Sequence, residues 1–220
     1  MWCRVSAVVF GFLLLVVPGV QAETLSDVSQ MKPESRIAQY LHSQQLMKGL
    51  FQVAVKVDQD LGLACKGDYQ IRPVSVVIFS AIDLPDGAAQ PTSGVWIYRY
   101  DAVRCQTTKR YNVLLTAQPG GVPEVAIFPP GNTIASPQLM ETLVPAVLDG
   151  AERAVGGGCQ DAQVFDTAVT QPPRDRDADA TVDTGTWKED WTVLACGKSV
   201  KIPLVFSPDG NGGTKFVVGQ

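Results

Sequence analysis

Apolar positions follow a period of 3.6 over one stretch of each half of the chain and a period of two over most of the rest. Leu46, Leu50, Val53, Val57 and Leu61 fall at i, i+4, i+7, i+11 and i+15, one stripe of an α-helix. Leu139, Leu143, Ala146, Gly150 and Ala154 repeat that spacing in the second half. Ser136-Pro137 gives this second helix an N-cap followed by proline at its first position; Pro145 predicts a kink, and Gly156-Gly157-Gly158 predicts its end. After each helix the pattern turns to alternation. The β-rich runs are 74–79, 95–100, 111–116 and 125–128 in the first half, and 164–169, 186–195, 200–206 and 214–218 in the second. Turn residues separate them, Pro119-Gly120-Gly121 in one half and the run 207–213 in the other. The pattern predicts an α+β protein of two tandem repeats, each one helix packed on an antiparallel sheet of about four strands.

The halves also match residue by residue. GVWIYRYDAVRC at 94–105 and GTWKEDWTVLAC at 185–196 both read G-x-W-x3-(Tyr or Trp)-x4-C, so Trp96, Tyr100 and Cys105 face Trp187, Trp191 and Cys196 at an offset of 91. Upstream, the S-x-Q-L-M-x-x-L stretches beginning at Ser43 and Ser136 are offset by 93, and Cys65 and Cys159 by 94. This period is too long for a solenoid repeat and indicates duplication of a small domain. It divides the chain into 33–128 and 129–220. On a strand Trp187 and Trp191 share a face, where they are expected to pack beneath the helix like Trp96 and Tyr100; exposed aromatic platforms for a sugar or partner are the alternative.

The first residues carry one charge, Arg4, then an apolar run from Val5 to Val17, Pro18-Gly19, and small residues before Glu23. That order predicts a secretory signal peptide over 1–22, with 23–32 as a linker. The run is too short to span a membrane as a helix, and no later segment is long and apolar enough. Four cysteines then remain, Cys65, Cys105, Cys159 and Cys196, an even number in an exported chain and so two disulfides. Equivalent cysteines should bond equivalently. That favours Cys65–Cys105 with Cys159–Cys196 over Cys65–Cys159 with Cys105–Cys196, which would join the halves. Loss of Arg4 with the leader takes the net charge from −4 to −5. With no basic run in the chain, nucleic acid and anionic lipid are not expected as partners.

Motifs with chemistry are scarce. His42 is the one histidine, which excludes multi-histidine metal sites; it falls at a helix start, where a surface or capping role is expected. The chain has no G-x-S-x-G elbow and neither glycine-rich nucleotide loop, and no cofactor is expected. Asp175, Asp177, Asp179 and Asp183 match positions 1, 3, 5 and 9 of a calcium loop. Ala180 and Thr186 stand where that loop needs glycine and a bidentate glutamate. The competing reading is a solvated contact loop between two strands.

The segment GTWKEDWTVLACGKSVKIPLVFSPDGNGGTKF, through Trp187, Trp191, Cys196 and Gly197, resembles the C-terminal part of a group of uncharacterised exported proteobacterial proteins. The resemblance implies a Gram-negative periplasmic protein and supplies no activity. A helix on four strands also resembles cystatin-like inhibitors, but their Q-x-V-x-G loop is missing: Gln52 is followed by Val53, Ala54, Val55 and Lys56. The expectation is a non-catalytic binding or interaction protein, an envelope assembly factor or an inhibitor or immunity protein, whose partner is another envelope or secreted protein. A hydrolase of cell-envelope or polysaccharide substrates using paired carboxylates is the alternative.

Overall fold

The computed structural model describes residues 25–26, 32, 34–173 and 185–219. Its elements run β1 (Leu25–Ser26), α1 (Arg36–Leu41), α2 (Gln44–Asp60), β2 (Tyr69–Asp83), β3 (Ser93–Arg104), β4 (Thr107–Thr116), β5 (Glu124–Phe128), α3 (Pro137–Val155), β6 (Gln163–Gln171), β7 (Trp187–Ala195), β8 (Lys198–Pro208) and β9 (Thr214–Val218). β2 to β5 form an antiparallel meander with the two-residue β1 added at its β2 edge, and β6 to β9 form a second meander. Each sheet is packed against its own long helix, as the two-repeat pattern predicts. No helix among the described residues is long and apolar enough to cross a membrane.

The helices start where their caps lie. Ser43 Oγ accepts the Leu46 N–H (3.3 Å) at the head of α2, and Ser136 Oγ accepts the Leu139 N–H (3.3 Å) at the head of α3. Along α2 the buried positions are Leu46, Leu50, Ala54, Val57 and Asp58. Along α3 they are Met140, Leu143, Val147 and Ala151. The stripe expected for α3 is therefore rotated: Leu139, Ala146 and Gly150 are only half-buried and Ala154 is exposed. Apolar and small residues surround most of this helix, so several stripes fit its sequence, and packing on the sheet selects one. α3 continues through Pro145, whose side chain faces solvent.

Strands β2, β3 and β4 are longer than the apolar runs suggested, because polar residues continue the ladder to the hairpin tip. There Arg104 pairs with Thr107 around the two-residue turn Cys105-Gln106, and Ala195 pairs with Lys198 around Cys196-Gly197. All four turn residues have positive φ, 44° and 63° in one repeat and 49° and 73° in the other, the backbone of a type I′ hairpin. Each cysteine thus sits in the turn, and the bonds Cys65–Cys105 and Cys159–Cys196 fasten that hairpin tip to the exit of the repeat's helix. Trp96, Tyr100, Trp187 and Trp191 are all fully buried beneath the helices.

Candidate functional site

The alternation that buries Trp96, Tyr98 and Tyr100 puts Ile97 and Arg99 on the opposite face of the first sheet, beside Val77 and Asn112 on the neighbouring strands. The chain leaving β5 covers that face as it crosses to the second repeat. Asn112 Nδ2 donates to the carbonyls of Pro129 (2.7 Å) and Gly131 (3.1 Å) and its Oδ1 accepts from Arg99 Nε (2.8 Å), while Arg99 Nη2 donates to Thr133 O (2.6 Å). On the β6 side Thr167 Oγ1 donates to Pro130 O (2.8 Å) and accepts the Thr133 N–H (3.0 Å). Gly131, at φ 104°, lets the strands approach: a Cβ there would lie 2.2 Å from Thr167 O.

Next to this crossing lies a cleft of about 310 Å³. Val77, Phe79, Ile97 and Phe128 form its wall on the first sheet; Ile134 and Ala135 on the crossing chain and Val169, Pro172 and Pro173 at the end of β6 complete the apolar lining. The polar members are Arg99, Asn112, Thr133 and Ser136. Their hydrogen bonds already hold the crossing chain and the cap of α3, so the cleft offers mainly apolar surface. That composition, at the junction of two units, is typical of small-molecule and side-chain pockets. Further along the seam Lys109 Nζ donates to Phe165 O (2.8 Å) and lies 3.9 Å over the Phe165 ring. Burial lowers the pKa of this ammonium, opposed by the Asp166 charge, and burial raises that of Asp166, opposed by Lys109.

Two buried carboxylates went unnoticed in the sequence. Asp58 on α2 is fully buried and takes both oxygens to Arg104, with Nη2 to Oδ1 at 2.8 Å, and it accepts the hydroxyls of Tyr111 and Tyr69. Burial pushes its carboxyl up, but the hydrogen bonds from Arg104, Tyr111 and Tyr69 and the guanidinium charge outweigh that and hold it below the usual range. Glu189 on β7, also fully buried, accepts the indole N–H groups of Trp187 (3.0 Å) and Trp191 (2.7 Å) and the Ile134 N–H (3.0 Å). The signal was there. Asp58 stands at i+8 from Leu50, on the stripe, and Glu189 has the inward parity of the two tryptophans. Neither lines the cleft; both belong to the packed cores.

Asp175, Asp177, Asp179 and Asp183 lie outside the described residues. His42 is exposed at the C-cap of α1. Cys159, Asp161 and Cys196 bring ligand atoms within 4.8 Å of one another, but the sulfurs are joined to each other and Asp161 Oδ1 accepts the Cys196 N–H (2.9 Å). No protein-family model matches the chain, and no curated protein or solved structure matches it.

Proposed function

We propose that this chain is an exported, non-catalytic binding protein of the bacterial envelope, and that an apolar group of its ligand or partner enters the cleft between the repeats. The cleft carries this reading: it is the size of a small-ligand site, and its polar atoms are already engaged within the protein, leaving apolar burial to supply affinity. The two disulfides support an oxidising compartment, as does the leader-like start of the chain. Among the described residues no carboxylate lines the cleft, so its described lining lends paired-carboxylate hydrolysis no support. Fluorescence titration with N-phenyl-1-naphthylamine tests the reading. Saturable one-to-one binding is expected, weakened at least about tenfold by Val169→Trp, which fills the cleft. Unsaturable binding, or equal binding by a Val169→Trp protein with native circular dichroism, would sink it.

A further inference from the structure

The outer faces of the two sheets differ in what covers them. The crossing chain and β6 lie over the first. On the second, β8 and β9 leave a face open to solvent, with Val205 39 % and Val217 65 % exposed. Strand register fixes the pattern there. Lys188, Val205 and Val217 form one row across β7, β8 and β9; Ser207 and Lys215 form the row on one side, Asp190 and Pro203 the row on the other, and Lys201 follows Pro203 on β8. A strand spacing of about 4.8 Å and a rise of about 3.3 Å per residue place all three lysine positions within about 13 Å of Val205. The face is thus an apolar centre of Val205, Val217 and Pro203 with a cationic rim. Asp190 pairs with Lys201 at 3.2 Å, and no ion pair among the described residues holds Lys188 or Lys215.

We propose that this face rests on a membrane leaflet containing anionic phospholipid. Composition conceals the patch, since the lysines are 13 and 14 residues apart in an acidic chain; only the meander gathers them. By the same spacings the lysine positions are about 12–20 Å apart, beyond the screening length of about 8 Å at physiological salt, so a surface at contact feels each nearby lysine more than the distant negative charge. Lipid fits better than a protein partner. Protein interfaces favour aromatic residues, methionine and arginine and are poor in lysine, whereas the described residues of this face offer lysines, aliphatic carbons and the paired Asp190, and no aromatic or arginine side chain. β7 and β8, which carry most of the face, are each paired to a strand on both sides within the sheet. Lysines that contact an anionic leaflet around a shallow apolar centre give reversible, salt-sensitive binding.

Co-sedimentation of the purified protein with vesicles tests this. Binding is expected to vesicles with about 40 % phosphatidylglycerol in phosphatidylcholine, weak binding to phosphatidylcholine alone, and release by about 0.5 M salt. Each lysine contributes about fivefold, so Lys188→Gln/Lys201→Gln/Lys215→Gln should lose about 100-fold. The naphthylamine titration of the same variant should be unchanged, which separates this surface from the cleft and shows that the fold survives. Absence of binding, equal binding to both vesicles, or undiminished binding by the variant overturns the proposal. Binding to poly-glutamate with no binding to either vesicle would overturn it in favour of an acidic protein partner.

Discussion

The two repeats satisfy the same internal position with opposite chemistry. In the first, the Tyr98 hydroxyl donates to the Leu41 carbonyl at 2.9 Å. In the second, the matching residues are Glu189 and Ile134, and there the carboxylate accepts from the backbone N–H at 3.0 Å. Donor and acceptor have exchanged sides while the contact between strand and helix entry persists. At the hairpin end the difference is larger. Asp58, Arg104 and Tyr111 make a buried ionic cluster where the second repeat has Ala151, Ala195 and Ile202, all buried. The fold therefore demands a filled volume at one end of the core and a satisfied hydrogen bond at the other, and leaves the chemistry of each open. A buried ion pair and an apolar cluster of suitable size can have similar net stability, because the desolvation of two charges cancels much of their attraction.

Removing one member of that cluster is the sharpest way to break the comparison. Asp58→Ala leaves Arg104 buried without its counter-charge and should cost about 3–5 kcal/mol in urea unfolding. The triple change Asp58→Ala/Arg104→Ala/Tyr111→Ile copies the second repeat and should recover part of that loss; a triple variant less stable than the single one would show that the repeats are not interchangeable here. Acid gives a second readout. Asp58 is held below its unfolded pKa, so its contribution is present above about pH 4 and is lost as pH falls through the folded value. The triple variant should lack this part of the acid sensitivity.

A smaller effect separates the equivalent tryptophans. Trp187 and Trp191 both donate to Glu189; at the matching position in the first repeat stands Tyr98, itself a donor in this core, and Trp96 Nε1 is the one buried side-chain polar atom among the described residues without a partner. Trp187→Phe removes a donor from a buried carboxylate, whereas Trp96→Phe removes an unmet N–H. With similar loss of ring volume, Trp187→Phe should be the more destabilising by about 2 kcal/mol. Equal losses by calorimetry would mean that Glu189 gains nothing from the indole N–H.

The repeat architecture was legible because its signals are local: apolar spacing in Leu46–Leu61, alternation in Val95–Tyr100, and matching Trp and Cys positions. The cysteine pairing followed from the symmetry of the halves. Less was legible where the sequence permits several answers. The stripe of α3 falls on Met140, Leu143, Val147 and Ala151 because only contact with the sheet ranks its apolar faces. Asp58 and Glu189 lie on buried periodicities, but their partners, Arg104 for one and Ile134 for the other, are 46 and 55 residues away. The cleft brings together residues from Val77 to Pro173, and the lysine face depends on the register of three strands. Neither surface has a contiguous sequence signal to find.

The hairpin turns give the finest test. Both open with a cysteine at positive φ, held there by its disulfide, but the second turn residue is Gln106 at 63° in one repeat and Gly197 at 73° in the other. A residue with a Cβ pays about 1 kcal/mol in this left-handed region, and glycine does not. Glycine loses more backbone freedom on folding, which offsets part of the gain. Gln106→Gly should therefore stabilise the protein by up to about 0.5 kcal/mol, and Gly197→Ala should destabilise it by about 1 kcal/mol although no atom lies within 4 Å of the added Cβ. Opposite signs in thermal unfolding would locate the asymmetry in the backbone of the turn. Two losses would mean that the Gln106 side chain contributes something beyond its backbone conformation.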